Sequence, residues 1–342
     1  MVSATRWPLK AAVVGLGSWG VEHARAWSSL PGVELIAVCE HDESRLRDVA
    51  RDFAGAAAYI SAATLAREVD LDVVSIVTHE ADRLAVTLPF LERGVHALVE
   101  KPMALSVEEG TKIRDAGAAH GVYVMPGHVL RFDARLMALK EELDRGSLGA
   151  VRSVYARRLI PRSRHGKYAR AHPALVAAIH DYDLVRWFIG AEPRSVTSHA
   201  LPRGGESVPD ILWSTFEFAG EHLAVVENAW VIPEEAGVWL EAEIEVVGTE
   251  GIARVHIPGD LSLWLSRGHV LPDTTLVPFV LGTSTGALRD ELSYLATCIV
   301  RQTKPERVAP DDGIEAVRLA VAAAESGARG TPVVLSEPAG AG

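Results

Sequence analysis

Apolar residues in the first third of the chain recur in short blocks, separated by longer segments of helical periodicity. We predict strands at the blocks, which are residues 9–14, 33–39, 56–60, 73–77, 95–99 and 122–125. We predict helices between them, over residues 21–30, 41–53, 81–93 and 107–120. Asp42 or Ser44 is expected to cap the second helix, and Ser61 a short turn over 62–67. Strands that alternate with helices predict an α/β fold with a doubly wound parallel sheet.

The pattern changes after residue 126, where we place a domain boundary that gives domains 1–126 and 127–342. We predict helices over residues 134–144, 173–188, 290–301 and 310–326. We predict strands at residues 151–159, 195–201, 211–218, 223–231, 239–247, 253–257 and 261–265. Alternation at residues 241–246 predicts a sheet with one face in water. The composition of the basic segment 161–172 predicts a loop, and the tail after Ser336 is expected to be disordered.

Composition and charge exclude several classes of protein. The 342 residues carry a net charge of −11, and no basic domain offsets it, which argues against nucleic acid as a partner. We see no signal peptide and no membrane span, and expect no membrane partner. Cys39 and Cys298 lie in apolar segments, so we expect neither a disulfide framework nor a metal site. A cytoplasmic enzyme is the expectation.

A complete G-x-G-x-x-G follows the first predicted strand and opens the first predicted helix. Its residues, all expected to bind a cofactor, are Gly15, Leu16, Gly17, Ser18, Trp19 and Gly20. Glu40 ends the second strand, where a carboxylate can hold the ribose hydroxyls of an adenosine, with His41 beside it. The order of these features predicts NAD. NADP is less expected because Glu40 is negative, although Arg45 is a possible phosphate partner. The alternative is a glycine turn in another α/β protein, with Glu40 solvated.

Further polar residues end the later strands, at the sheet edge where ligands of this fold bind. Thr78 and His79 follow one strand, and Glu100 and Lys101 end the next; we expect all four at the cofactor. Partial burial at this edge favours a neutral lysine amine, which can exchange the proton that accompanies hydride transfer. Pro102 fixes the turn that aims Lys101. The alternative is a surface lysine beside Glu100.

The glycine turn, the block Val99-Glu100-Lys101-Pro102 and the segment Ile179-His180-Asp181-Tyr182-Asp183 together resemble the Gfo/Idh/MocA oxidoreductases. The resemblance implies a Rossmann domain followed by an α+β domain with a large, mostly antiparallel open sheet. It implies NAD(P)-dependent oxidation or reduction of a sugar, inositol or polyol carbon, with Lys101 and His180 as catalytic residues. With the tryptophan-bearing strand region, it also predicts a homodimer or homotetramer.

The chain departs from the family pattern near these residues. Many members carry an aspartate four residues before the histidine, where this chain has Val176; Asp181 or Tyr168 is a candidate replacement. Arg83 and His79 stand where the family often has His and Pro. These changes leave the cofactor expectation intact and put the substrate in doubt. The candidate substrate contacts are Arg131, Arg164, Tyr168, His172 and Asp183.

Two other functions stay open at this point. One is a reductase of another carbonyl or unsaturated substrate. The other is a non-catalytic sensor that binds NAD(H) and a sugar. Steady turnover of NADH with a polyol would separate an enzyme from a sensor.

Overall fold

The structure, a computed structural model, describes residues 7–168, 170–202, 208–257, 261, 263–265 and 268–335. By its internal contacts the chain divides into two compact units. The first comprises Met1–Phe132 and Leu276–Ile314, and the second Asp133–Thr275 and Glu315–Gly342. The predicted division into domains 1–126 and 127–342 stays a prediction. No helix among the described residues is long and apolar enough to cross a membrane.

The first unit contains a six-stranded parallel sheet with the order β3-β2-β1-β4-β5-β6. Its strands are β1 (Leu9–Val14), β2 (Val33–Cys39), β3 (Ala57–Tyr59), β4 (Val73–Ile76), β5 (His96–Glu100) and β6 (Val124–Gly127). Its first helices are α1 (Ser18–Ser29), α2 (Glu43–Ala50), α3 (Ala62–Glu68), α4 (Arg83–Glu92) and α5 (Val107–His120). Short 3-10 turns occupy Arg51–Phe53, Glu80–Asp82 and Val129–Phe132. The predicted doubly wound α/β fold is confirmed.

Continuous apolar strands place the core of this sheet on both of its faces. Every residue of β4, β5 and β6 is buried, as expected for a parallel sheet covered by helices. Asp42 caps α2 by accepting from the Ser44 and Arg45 amides, and Ser61 caps α3 by accepting from Thr64. These caps decide where the helices begin. Because all six strands are parallel, their carboxyl ends lie at one edge of the sheet.

The second segment of the first unit adds a helix to this Rossmann core. It contains β15 (Phe279–Val280), β16 (Thr283–Ser284), α9 (Ala287–Arg301) and a 3-10 turn at Glu306–Val308. The helix α9 packs against α1 and against the 3-10 turn Val129–Phe132. The buried residues Leu288, Leu292 and Leu295 give α9 the apolar stripe that makes this contact possible.

The second unit is built on a seven-stranded sheet with the order β12-β11-β7-β10-β9-β8-β17. Its strands are β7 (Val151–Pro161), β8 (Pro193–Pro202), β9 (Pro209–Phe218), β10 (His222–Ile232), β11 (Glu241–Gly248), β12 (Ile252–Ile257) and β17 (Val333–Val334). Only the β7–β10 pair is parallel among these described strands. The predicted α+β architecture with a mostly antiparallel sheet is confirmed.

Helices cover one face of this sheet. The helices of this part of the chain are α6 (Ala134–Asp144), α7 (His165–Tyr168), α8 (Ile179–Ile189) and α10 (Pro310–Arg329), and a further short hairpin pairs β13 (Leu263–Leu265) with β14 (Gly268–Val270). The helix α8 packs on β7 and β10. On α10, Ser326 accepts from the Ser198 amide of β8 at 2.9 Å. The alternating burial of β11 reflects the covered and open faces.

Three expectations need correction or fall outside the described residues. Residues 161–172 are not simply a loop, since a 3-10 turn (Arg162–Arg164) and α7 occupy much of the segment. The predicted helix 173–188 is two elements, a π-helical turn (Ala174–Ala178) followed by α8. The tail after Ser336, expected to be disordered, lies outside the described residues.

Candidate active site

Two of the three glycines in the turn after β1 leave no room for a side chain. A Cβ at Gly15 would lie 2.6 Å from the Val77 carbonyl oxygen, and the φ of Gly15 is +93°. A Cβ at Gly20 would lie 1.8 Å from the Gly15 carbonyl oxygen. At Gly17, in contrast, nothing lies within 4 Å of an added Cβ. Gly17 is also the N-cap of α1, so the turn has an open side next to the uncapped amides of a helix N-terminus.

The Glu40 carboxylate lies beside this turn. Its Oε2 accepts from the Leu16 amide at 2.9 Å, and its Oε1 accepts from the Asp42 amide at 3.1 Å. His41 and Arg45 lie 2.9 and 3.4 Å from its oxygens. Burial opposes ionisation of Glu40, but these hydrogen bonds and charges outweigh it and lower the pKa of the carboxyl. Glu40 is therefore an anion fixed between β2 and the glycine turn.

Thr78 and His79 follow β4 as predicted, but they differ in exposure. Thr78 is half-buried, and His79 is exposed. Arg83, the first residue of α4, donates from Nη2 to the Thr78 carbonyl oxygen at 3.1 Å. It also donates from Nη1 to the carbonyl oxygen of Pro102. One buried guanidinium thus ties together the two segments that follow β4 and β5.

Glu100, the last residue of β5, accepts three hydrogen bonds in the interior. Its Oε1 accepts from Trp19 Nε1 at 2.8 Å and lies 3.2 Å from His23 Nε2. Its Oε2 accepts from the Lys101 backbone amide at 2.9 Å. A Cβ at Gly127 of β6 would lie 2.8 Å from Oε1, so only glycine leaves space for this carboxylate. Glu100 is consequently a structural anion on which several elements converge.

The hydrogen-bond chain continues from Glu100 into α1 and β4. His23 Nδ1 lies 3.2 Å from the Ser75 hydroxyl, which also accepts from Trp27 Nε1 at 2.9 Å. Burial opposes ionisation of Glu100. The hydrogen bond and charge of His23, together with the charges of Lys101 and Arg83, outweigh burial and lower the pKa of Glu100.

Lys101 is half-buried at the sheet edge, directly after β5. Its amide is bound by Glu100, and the carbonyl group of the next residue, Pro102, is bound by Arg83. The Lys101–Pro102 peptide is cis. The backbone that carries the lysine is therefore held from both sides by charged side chains.

His180 lies in the second unit, in the first turn of α8, and is half-buried. The π-helical turn that contains Val176 precedes it, and such turns are frequent at functional sites. Asp181, a candidate replacement for the missing aspartate, is fully buried, and both of its oxygens accept from Arg158 at 2.8 Å. This contact gives Asp181 a structural role.

The five candidate substrate contacts are placed differently. Arg131 is in the first unit, is buried, and donates from Nη1 to the Arg307 carbonyl oxygen and the Asp312 carboxylate, both at 3.0 Å. Arg164 is half-buried, and Asp183 is buried on α8. His172 accepts from the Ala174 amide at 3.2 Å, and burial lowers the pKa of its ring. The side chain of Tyr168 lies outside the described residues.

Two family models match consecutive parts of the chain. Residues 9–128 match the Gfo/Idh/MocA oxidoreductase family with an NAD-binding Rossmann fold, and residues 136–254 match the C-terminal domain of the same family. The chain belongs to the Gfo/Idh/MocA family. The expectations of an oxidoreductase and of NAD as its cofactor are confirmed at this level.

Relatives in this family carry names of inositol dehydrogenases. The chain is 27% identical to a scyllo-inositol 2-dehydrogenase (NAD(+)) of Bacillus subtilis over 96% of each chain. It is 26% identical to inositol 2-dehydrogenase 2 of Saccharopolyspora erythraea over 74% of this chain and 75% of that protein.

Solved structures agree with the fold. A myo-inositol 2-dehydrogenase from Lactobacillus plantarum superposes with a TM-score of 0.83 at 22% identity, over 96% of this chain and 100% of that one. A scyllo-inositol dehydrogenase from Lactobacillus casei, solved with NAD(H) and scyllo-inositol, gives a TM-score of 0.81 at 20% identity, over 95% and 98%. At these identities the likeness establishes the fold.

The residues of the first unit fit NAD. Its pyrophosphate needs backbone amides without a side chain in the way, which the open side of the turn at Gly17 supplies. Its ribose hydroxyls need a fixed acceptor, which the ionised Glu40 carboxylate, held by the Leu16 and Asp42 amides, can supply. Trp19 instead directs its indole nitrogen to Glu100.

Sequence reasoning missed three residues of this region. His23 and Glu291 are buried within the apolar stripes of α1 and α9, and Arg83 was noticed only as a departure from the family. A charged residue on the apolar face of a predicted helix was the signal, because such residues are seldom buried without a partner. Such a residue can be predicted to be buried, but its contacts cannot be predicted from the sequence pattern.

Proposed function

We propose that this chain is an NAD-dependent dehydrogenase that oxidises a ring carbon bearing a hydroxyl group in an inositol, a sugar or a sugar derivative. The names of its relatives support this substrate class. The observation that carries the proposal is Lys101, a half-buried lysine fixed at the ligand-binding edge of a dinucleotide fold.

Different residues of the first unit bind the different parts of NAD. The open amides at Gly17 and Ser18 hold the pyrophosphate, and Glu40 holds the adenosine ribose. When bound, NAD accepts the hydride from the carbon that is oxidised. Glu100 acts indirectly, because its hydrogen bond to the Lys101 amide orients the lysine.

The proton that leaves the hydroxyl group needs a base. Lys101 in its neutral form takes this proton while the C–H bond breaks, so the alcohol becomes a carbonyl and the lysine becomes an ammonium. His180 hydrogen-bonds the same oxygen and orients it. In the reverse direction Lys101 returns the proton to the developing alkoxide.

A panel of substrates tests this proposal. Inositol isomers, aldoses, sugar acids and sugar nucleotides are incubated with NAD, and NADH absorbance is followed. Turnover with a cyclic polyol or sugar, lost in Lys101→Ala, is the expected result. Stoichiometric binding of NADH and an inositol without turnover of any compound would instead identify a sensor.

We further propose a homodimer or homotetramer formed through the open face of the second unit's sheet. Tyr155 and Trp213 stack on this face with ring centroids 6.4 Å apart, and Leu201 and Leu223 extend it. Trp213 is 39% exposed and Leu201 is 56% exposed. Together these residues form an exposed apolar patch, which is typical of a protein–protein interface.

Light scattering tests this assembly. Trp213→Glu places a charge on the face and should shift the protein to smaller species. Leu281→Glu, at a fully exposed residue of the first unit, is the matched control and should leave the mass unchanged. A wild-type monomer at micromolar concentration would contradict the proposal.

The proposal includes a cytoplasmic location. It is supported by the two cysteines, Cys39 and Cys298, which are both buried and unpaired, as is usual in a reducing compartment. Cell fractionation with an antibody against the chain measures it directly.

A further inference from the structure

We propose that Arg83 is a positioning residue for Lys101, holding the segment that carries the lysine in place through the backbone on its C-terminal side. This inference deepens the proposed function and rests on Lys101 being the base. Arg83 itself touches neither substrate nor cofactor in this proposal.

The contacts of Arg83 bridge two strand ends. Its Nη1 donates to the carbonyl oxygen of Pro102, the residue after Lys101, and its Nη2 donates to the Thr78 carbonyl oxygen at 3.1 Å. Thr78 follows β4 and Pro102 follows β5, and these strands are neighbours in the sheet. The planar guanidinium presents both donors in one rigid fork, so it fixes the spacing of the two segments.

The other side of Lys101 is fixed by a different side chain. The Lys101 amide donates to Glu100 Oε2 at 2.9 Å, and Trp19 and His23 hold that carboxylate in turn. The lysine backbone is thus restrained before its Cα by an anion and after it by a cation. Removing Arg83 releases one restraint and leaves the other, which makes its effect separable.

The burial of Arg83 indicates that its contacts are specific. Arg83 is 5% exposed, and a buried guanidinium is costly unless its donors and charge are compensated. Two carbonyl oxygens and the nearby Glu100 anion supply that compensation. The chain retains a buried cation at the point where it fixes the segment bearing Lys101.

The experiment compares four variants with the wild-type protein. Arg83→Ala removes both donors, and Arg83→Gln keeps one amide donor without the charge. Leu65→Ala, a fully buried residue of α3, is the matched control for lost stability in the same unit. Lys101→Ala gives the kcat that remains without the proposed base. For each we measure kcat, KM, the Kd of NADH, the melting temperature and the hydrogen exchange of residues 99–106.

We expect Arg83→Ala to lower kcat by roughly 10- to 100-fold, since a displacement of about 1 Å can cost this much. Arg83→Gln should lose less. KM and the Kd of NADH should change less than about threefold, because their main contacts lie elsewhere. The Lys101 amide should exchange faster in both variants but not in Leu65→Ala. Added guanidinium should restore part of the kcat of Arg83→Ala but not that of Leu65→Ala, which loses no guanidinium group.

The outcomes separate this inference from the proposed function. Wild-type kcat and exchange in Arg83→Gln and Arg83→Ala, beside an inactive Lys101→Ala, would overturn the role of Arg83 alone. Full activity in Lys101→Ala would overturn the proposed mechanism. If Arg83→Ala does not fold, Arg83→Gln decides, with its kcat and exchange compared with those of Leu65→Ala.

Discussion

Glu291 and Glu100 are two buried carboxyl groups of the same compact unit, and the structure favours opposite protonation states for them. Glu100 accepts hydrogen bonds from Trp19, His23 and Lys101 and is an anion. Neither carboxyl oxygen of Glu291 has a hydrogen-bond partner among the described residues. Burial and the negative charge of Glu100 raise the pKa of Glu291 well above its usual value. One proton therefore resides on α9 while the negative charge resides at β5.

This relationship predicts a pH dependence of stability. Below about pH 4.5 Glu291 is protonated in both the folded and the unfolded chain. Between that pH and its raised pKa in the folded protein, only the unfolded chain loses the proton. The free energy of unfolding therefore falls as pH rises through this window. Glu291→Gln removes this contribution. The free energy of unfolding of this variant minus that of the wild-type protein should therefore increase with pH, by up to about 1.4 kcal/mol per pH unit across that window.

Urea unfolding at several pH values measures the difference. The exposed Glu92→Gln on α4 is the control and should show a difference that does not change with pH in this way. A pH-independent difference between Glu291→Gln and wild type would mean that Glu291 is ionised in the folded protein.

Lys101 and His180 should differ in their catalytic weight. Lys101→Ala should lower turnover by roughly 10² to 10⁴, the usual worth of a positioned acid or base. His180→Ala should lower it less, because orienting the oxygen contributes less than moving its proton. His180→Gln, which keeps a donor, should retain part of the activity.

Single-turnover hydride transfer measures these rates, with NADH binding determined separately. NADH affinity should change little in all three variants. An inactive His180→Gln beside a partly active Lys101→Ala would reverse the two roles.

Glu40 should set the choice of cofactor. The wild-type protein should bind NADH more tightly than NADPH, since a 2′-phosphate would lie against an ionised carboxylate. Glu40→Ser should weaken NADH binding by about 10-fold or more, through loss of a charged hydrogen bond. It also removes the carboxylate that Arg45 approaches at 3.4 Å, so the preference should move toward NADPH.

Direct titration of both nucleotides gives the two dissociation constants. Arg47→Ala, two residues after Arg45 on the same helix and paired with Glu43 on the surface, is the control. Tighter binding of NADPH by the wild-type protein would contradict the assignment.

The buried pair Arg158–Asp181 should support the helix that carries His180. Asp181→Asn leaves the Arg158 charge uncompensated in the interior and should cost about 3–5 kcal/mol. The half-exposed pair Arg157–Glu241 should contribute less than about 1 kcal/mol, so Glu241→Gln is the control. Denaturant unfolding measures both. Equal losses in the two variants would show that burial does not distinguish the pairs.

The strands of the first unit were predictable because each is a local apolar block. Asp42 and Ser61 were likewise readable as caps, since a cap contacts amides within three residues. The surroundings of Glu100 were not readable, because Trp19 and His23 lie 81 and 77 residues away in sequence. No local pattern carries information about contacts of that range.

The basic segment shows a different limit. Charged residues at 162–170 favour solvent exposure, and composition alone then predicts a loop. The structure instead forms a 3-10 turn and α7 there. The π-helical turn was missed for a related reason, since its residues are all buried and so show no amphipathic period.

The helix α9 covers α1 but is separated from it in the chain by the whole of residues 133–275. During synthesis the six-stranded sheet therefore leaves the ribosome long before the helix that completes its unit. Until α9 emerges, the apolar surface of α1 that it will cover stays available to chaperones and to wrong partners. A fragment ending at residue 132 would retain this uncovered surface permanently, so a self-sufficient dinucleotide-binding module of this protein has to be assembled from two separate stretches of the gene.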